Sequence, residues 1–368
     1  MIYLHVPFCR SFCIYCDFYS EIACKGRDEA GVTRWADEVC EEIAARREEI
    51  ESTLDLDTLY IGGGTPSVLP LSVLRRILDA INDIRKRSNA LRDGQRAGLA
   101  PQEKGAVSPG IVRPQSLRYT EFTIEVNPED IIERGSEYVQ GLLELGVTRI
   151  SMGVQSLDDG ILRWMNRRHS ADGARQAFHL IHSAAREEIL PCAAVSIDMI
   201  TGVPGMTMEI LERTLEEVIS WRPEHISAYQ LSIEEGSALA QMIEKGEVKE
   251  LDEEECRAQY DYLCRRLAEA GYHHYEISNW ALPGHEAVHN SAYWTRHPYV
   301  GLGPGAHSLV GNRRSWNSQT LSGWTSEGED LTPEQIHEEE VMLLARTDRG
   351  PIPERDWFIA DDIISGLI

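Results

Sequence analysis

The chain has 368 residues, with 36 Lys and Arg against 60 Asp and Glu, a formal charge of −24, and it is 42% apolar and 26% charged. This acidic balance argues against nucleic acid as a partner and limits any membrane contact to a transient one, because phosphate backbones and anionic lipids reward clustered Lys and Arg. No apolar run reaches the ~18 residues that span a bilayer. The start, Met1-Ile2-Tyr3-Leu4-His5, has neither the basic n-region nor the long apolar h-region of a signal peptide, so a cytoplasmic location is expected. Eight cysteines in such a chain read as thiols or metal ligands rather than a disulfide framework.

In chain order, β-branched and apolar runs at 2–6, 58–61, 121–126, 149–152, 194–200 and 225–231 each precede a stretch of 3.6-residue periodicity. The helical stretches are 33–50, 71–84, 136–145, 173–185, 208–221 and 252–270. Alternation of this kind predicts an α/β fold with a parallel sheet, a partial (β/α)6 TIM-like barrel over residues 1–235. Segment 85–118 holds eight basic residues against two acidic and is rich in Gly, Pro, Ser and Gln, which predicts a mobile surface insertion, with a docking arm as the functional alternative. Aromatic-rich extended segments at 273–281 and 299–308 and a helix around 334–345 predict a small α+β appendage over 236–368.

The strongest chemical signal is Cys9-x3-Cys13-x2-Cys16, three thiols in one eight-residue loop just after the first strand. Thiolates suit zinc or iron–sulfur clusters, but a structural zinc needs four ligands and no fourth stands at a usual local spacing. A cubane held by three cysteines keeps one iron open to chelate the amino and carboxylate groups of S-adenosylmethionine. The alternative is three core or redox cysteines at accidental spacing. Cys40, Cys256 and Cys264 lie on apolar helical faces, Cys192 precedes a strand and Cys24 has no motif around it; none of the five carries an expected metal role.

Gly62-Gly63-Gly64-Thr65 follows the second strand. Glycines there admit close approach of the backbone to a ligand, while the absence of a following Gly-Lys-Ser/Thr or a spaced third glycine disfavours ATP and NAD. Glu125, Gln155 and Asp198 stand at successive strand ends, which in a parallel barrel converge on one mouth. Each taken singly also fits a helix cap. Glu125 and Asp198 can accept from ribose hydroxyls or adenosine, and Arg167 can pair with a carboxylate.

Together these residues resemble the radical S-adenosylmethionine enzymes, and more narrowly the oxygen-independent coproporphyrinogen III oxidase family. The resemblance covers nearly the whole chain, through Tyr3-Leu4-His5-Val6-Pro7-Phe8-Cys9, Gly62 to Ser67, Glu125-Val126-Asn127-Pro128, Ser151 to Ser156, Met165 to Ser170 and Ile197 to Gly205, in the family's order. It implies that Cys9, Cys13 and Cys16 ligate a [4Fe–4S] cluster. It also implies that Tyr3, Gly63, Gly64, Thr65, Glu125, Gln155, Arg167 and Asp198 surround S-adenosylmethionine, which is cleaved reductively to methionine and a 5′-deoxyadenosyl radical.

Two departures point to the shorter HemW-like branch, regarded as heme chaperones. The decarboxylating enzymes carry a further cysteine two residues after the third ligand, where this chain has Phe18, and they have an N-terminal extension, whereas the cluster loop here begins at Cys9. Family members also usually continue past the segment matching 339–350 into a further helical region. The branch has an His-Asn-x-x-Tyr-Trp element associated with heme, matched by His289-Asn290-Ser291-Ala292-Tyr293-Trp294. His289 can serve as an axial ligand, with Tyr293 and Trp294 offering faces to the macrocycle; the alternative is a histidine packed among aromatics with both nitrogens satisfied. The sequence reading is therefore a heme chaperone that passes heme to an acceptor protein and draws on an electron donor. The alternatives are coproporphyrinogen III decarboxylation and a purely structural zinc or iron–sulfur module.

Overall fold

A computed structural model describes residues 1–22, 29–96, 118–186 and 193–366. Cys24, Cys192 and residues 97–117 lie outside the described residues. Six parallel strands form the centre: β1 (Ile2–Val6), β2 (Thr58–Gly63), β3 (Glu121–Val126), β4 (Arg149–Gln155), β5 (Ala194–Thr201) and β6 (His225–Gln230), adjacent in that order. The intervening helices include α1 (Glu29–Ala45), α2 (Leu71–Arg96), α3 (Pro128–Leu145), α4 (Ala171–Ala184) and α5 (Met208–Trp221), with α6 (Glu253–Glu269) after β6. This is the expected partial (β/α)6 barrel.

The strands alternate with period 2. Ile2, Leu4 and Val6, then Leu59 and Ile61, Phe122, Ile124 and Val126, Ile150, Met152 and Val154, Val195, Ile197 and Met199 are all buried in one apolar core. Burying each large side chain stabilises the fold by about 1.5–3 kcal/mol. Helix boundaries follow local chemistry. Thr207 accepts from Ile210 N to open α5, and Gly146 in the left-handed region, φ 98°, closes α3 by donating to Leu142 O and Leu143 O.

One boundary is corrected. The expected mobile segment does not begin at residue 85, because α2 runs on to Arg96 and Arg85 and Ser88 on it are buried. Charge does not stop a helix, and Arg, Lys, Ala, Leu and Gln are good helix formers. Arg85 is only 1% exposed; its Nε donates to Asp57 Oδ1 at 2.9 Å and its guanidinium lies 3.6 Å from the Tyr119 ring centroid.

Residues after 235 extend the same sheet. β7 (His273–Glu276) and β8 (Asn279–Ala281) add antiparallel strands beside β6, and β9 (Val300–Leu302) pairs parallel with β1 on the other edge. Six strands leave two edges with unpaired backbone groups, and these additions cover both. Between β8 and β9 lies a short helix, α7 (Val288–Tyr293); further on are a three-stranded antiparallel sheet and the helix Pro333–Ala345. Among the described residues no helix is long and apolar enough to cross a membrane.

Candidate functional site

The strand residues that alternate with the apolar set face the barrel axis, and they are polar. Tyr3, Tyr60, Thr123, Glu125, Arg149, Ser151, Ser196, Asp198, His225, Ser227 and Tyr229 line a cavity of about 710 Å³. A (β/α)8 barrel usually fills this space with branched apolar side chains. Here it is hollow and hydrogen-bonding, which is the construction of a ligand site.

The cysteine loop lies across the C-terminal ends of the strands, and all three thiols line the cavity. Its path is fixed by the segment that carries Arg167: Ile14 N donates to Met165 O at 3.4 Å, Asn166 Nδ2 donates to Phe12 O at 2.7 Å, and Arg167 Nη1 lies 3.5 Å from Cys13 Sγ. Thr65 Oγ1 donates to Cys9 Sγ at 3.5 Å and accepts from Asn127 Nδ2 at 3.2 Å. Burial pushes the Cys9 thiol up and the Cys16 thiol up to about 11, so deprotonation of both calls for a nearby cation. Phe18, two residues after Cys16, is 65% exposed at the cavity rim.

The glycine turn packs against this loop. Gly64 N donates to Val6 O at 2.8 Å and Thr65 N to Phe8 O at 2.7 Å; a Cβ on Gly64 would meet Phe8 O at 2.7 Å. Gly63 has φ +107°, and a Cβ there would sit 2.6 Å from the His5 ring. His5 links the two parts. Its Nε2 donates to Tyr19 O at 2.8 Å, and the neutral ring then accepts from the Tyr3 hydroxyl at 3.1 Å on Nδ1.

Glu125 accepts from Tyr60 Oη at 2.7 Å and from Gly63 N at 3.1 Å, and burial raises its carboxyl to about 7. Asp198 accepts from Ser151 Oγ at 2.9 and 3.0 Å, and burial raises it to about 6. Both acids are buried in the cavity wall, ready to ionise against donors or a positive charge on a ligand. Gln155 follows a register shift in β4 and adopts φ 63°, an uncommon conformation for a non-glycine residue. Arg167 Nη2 donates to Asn127 Oδ1 at 2.7 Å and Gly153 O at 2.9 Å, while its Nε is buried without a partner.

The structure thus brings Tyr3, Cys9, Cys13, Cys16, Gly63, Gly64, Thr65, Glu125, Gln155, Arg167 and Asp198 to one cavity. Their chemistry fits a thiolate-held cluster with a bound small molecule beside it. Three soft donors stand next to a fixed guanidinium with an unused N–H, and the glycine turn leaves no room for a Cβ.

The His289 element lies at the opposite end. Glu121, at the start of β3, accepts from Val288 N at 3.0 Å and His289 N at 2.9 Å, which seats α7 across the N-terminal ends of the strands. His289 is 1% exposed, with Thr58 Oγ1 2.9 Å from Nδ1 and Tyr293 Oη 3.0 Å from Nε2; burial lowers its pKa to about 3. Tyr293 lines the cavity, whereas His289 and Trp294 do not, and Trp294 Nε1 is buried without a partner. As built, His289 has both nitrogens engaged inside the protein.

Sequence reasoning missed the lower cavity wall, notably Thr123, Arg149, Ser196 and His225, and at the mouth the role of Asn127 in bridging Thr65 and Arg167. The signal was present as strict alternation, in Arg149-Ile150-Ser151-Met152-Gly153-Val154-Gln155 and in His225-Ile226-Ser227-Ala228-Tyr229.

The fold and site define a radical S-adenosylmethionine protein, and the Radical SAM superfamily model matches residues 3–218. That membership implies a [4Fe–4S] cluster and S-adenosylmethionine as cofactors. The heme chaperone HemW of Synechocystis sp. is 32% identical over 352 residues, covering 93% of this chain and 75% of the relative. HemW of Mycobacterium tuberculosis (strain CDC 1551 / Oshkosh) is 32% identical over 368 residues, covering 95% and 82%. Among solved structures, the coproporphyrinogen III oxidase HemN of Escherichia coli superposes with a TM-score of 0.69 at 19% identity, over 94% of this chain and 75% of that one. The chain belongs to the radical SAM superfamily and, within it, to the family of the HemW heme chaperones.

Proposed function

We propose that the protein is a cytoplasmic heme chaperone that holds a [4Fe–4S] cluster and S-adenosylmethionine in the barrel mouth and passes heme to an acceptor protein. The observation that carries this reading is the 32% identity to HemW relatives over nearly the whole chain. Residues 1–235 form the cofactor-binding unit, and residues 236–368 carry the heme element. An electron donor and a heme acceptor complete the set of partners.

In this reading Cys9, Cys13 and Cys16 are the cluster ligands, and Arg167 offsets their negative charge at Cys13. When bound, the cluster and S-adenosylmethionine supply electron transfer to the sulfonium. Gly63, Gly64 and Thr65 bring main-chain groups up to the methionine moiety. Glu125 and Asp198 accept hydrogen bonds from hydroxyl or amino donors and gain negative charge as they do so. Tyr3 and Gln155 shape the adenosine side and exclude water. Heme binds at the His289–Tyr293–Trp294 element, which requires His289 to free one ring nitrogen, giving up either Thr58 at Nδ1 or Tyr293 at Nε2.

A second reading, oxidative decarboxylation of coproporphyrinogen III, draws on the hollow polar barrel beneath the cluster loop, which has room for a reacting group. Phe18 in place of a further cysteine weighs against it. The chaperone reading is tested by loading the full chain with hemin and adding a heme-free globin as acceptor. The Soret band should move to the globin position, faster with the cluster and S-adenosylmethionine in place. Failure to bind hemin would overturn it.

A further inference from the structure

We propose that the lower half of the barrel cavity contains a carboxylate-binding subsite formed by Thr123 and Arg149, separate from the cysteine loop. The two residues are direct partners in the pairing of β3 with β4. Both line the cavity, at 1% and 6% exposure, and Thr123 Oγ1 and Arg149 Nη1 are buried with no hydrogen-bond partner. Buried donors are ordinarily paired, so two adjacent orphans on one cavity wall mark a missing acceptor.

The rest of the guanidinium is spoken for. Its Nε donates to Glu121 Oε2 at 3.0 Å, and its Nη2 donates to His285 O at 2.7 Å and to Glu286 O at 3.3 Å. Glu121 cannot swing round to Nη1, because it also accepts from the backbone N–H groups of Val288 and His289. Asp198 accepts from the Ser151 hydroxyl and, among the described residues, makes no hydrogen bond or ion pair with Arg149. Across the cavity His225 is neutral, with Ser196 Oγ 2.7 Å from Nδ1 and Tyr275 Oη 2.7 Å from Nε2, so it brings no competing charge. The pair therefore offers one N–H and one O–H from strands about 4.8 Å apart, a spacing suited to the two oxygens of a carboxylate. Arg149 begins β4 and Gln155 ends it, which puts the subsite roughly 20 Å below the mouth. The carboxylate belongs either to a small free acid or to an arm of a larger ligand reaching down the barrel. The subsite stands whether or not the heme reading does.

Propionate is the probe, with propionamide as its uncharged match, followed by saturation-transfer NMR on the full chain. Propionate should bind and propionamide bind at least about tenfold more weakly. Thr123→Val should weaken propionate about fivefold. Arg149→Lys, which keeps a cation for Glu121 and removes Nη1, should weaken it about tenfold or more; if that variant does not fold, Thr123→Val alone decides. Displacement of propionate by hemin but not by hemin dimethyl ester would assign the carboxylate to a tetrapyrrole arm, and no displacement would assign it to a small free acid. Equal binding of the amide, no binding of propionate, or unchanged affinity in the folded variants would overturn the subsite.

Discussion

The Tyr60 hydroxyl donates a 2.7 Å hydrogen bond to Glu125 Oε1, tying the second barrel strand to the third just below the glycine turn. The Tyr60 ring also lies 5.3 Å, centroid to centroid, from His289. One tyrosine therefore touches both the cofactor side of the cavity and the helix that closes its far end.

The raised carboxyls beside this tyrosine make stability pH-dependent. Glu125 titrates near 7 and Asp198 near 6 when folded, against about 4.3 and 3.9 unfolded. The folded state holds these protons longer, so the stabilisation is complete below about pH 4 and is lost as pH rises through 6 to 7. The Tm of the ligand-free protein should fall between pH 5 and pH 8, and Glu125→Gln should flatten that fall. Equal slopes for the two proteins would refute the placement of Glu125.

Cluster retention depends on three thiols at once. Cys13→Ala should abolish the broad visible absorbance of anaerobically reconstituted protein, whereas Cys264→Ala, away from the cavity, should leave it intact. Iron analysis alongside the spectrum checks this. A full cluster in Cys13→Ala would remove it from the ligand set.

His289 has a structural cost as well as a proposed ligand role. Removing the ring leaves Thr58 and Tyr293 without their partner, so His289→Ala should destabilise the fold by about 1–3 kcal/mol in denaturant titration. It should also weaken or shift the hemin Soret band. Unchanged Soret behaviour with the stability loss present would confine His289 to holding α7 in place.

Arg85 tests the corrected helix. Arg85→Met removes the partner of Asp57 and the contact with Tyr119, and should cost about 2–3 kcal/mol. That is below the ~3–5 kcal/mol of a fully buried pair because Asp57 is 26% exposed. A change under about 0.5 kcal/mol, as for a solvated loop residue, would contradict the burial.

Much of this was legible in the chain. The βα period placed the six strands, and Met208–Trp221 is bounded where its periodicity ends. The cysteine spacing, the glycine run and the strand-end acids named residues that do share one cavity. The lower wall was not, because the strand signal lies in the apolar residues and carries no role for their polar alternates, Arg149, Ser151, Ser196 and His225, until the inward face is placed. Strands of three residues such as Val300–Leu302 are too short for a periodic signal, so the edge pairing with β1 could not be foreseen. Nor does local sequence tell that Glu121 caps the N-terminus of α7, 167 positions away.

The division between chaperone and decarboxylase is tested most directly by mass spectrometry of an anaerobic reaction containing reconstituted protein, S-adenosylmethionine, reductant and coproporphyrinogen III. The expected result is bound S-adenosylmethionine with every carboxyl group of the porphyrinogen retained. Stepwise loss of carboxyl groups, matched by release of 5′-deoxyadenosine, would contradict the chaperone reading.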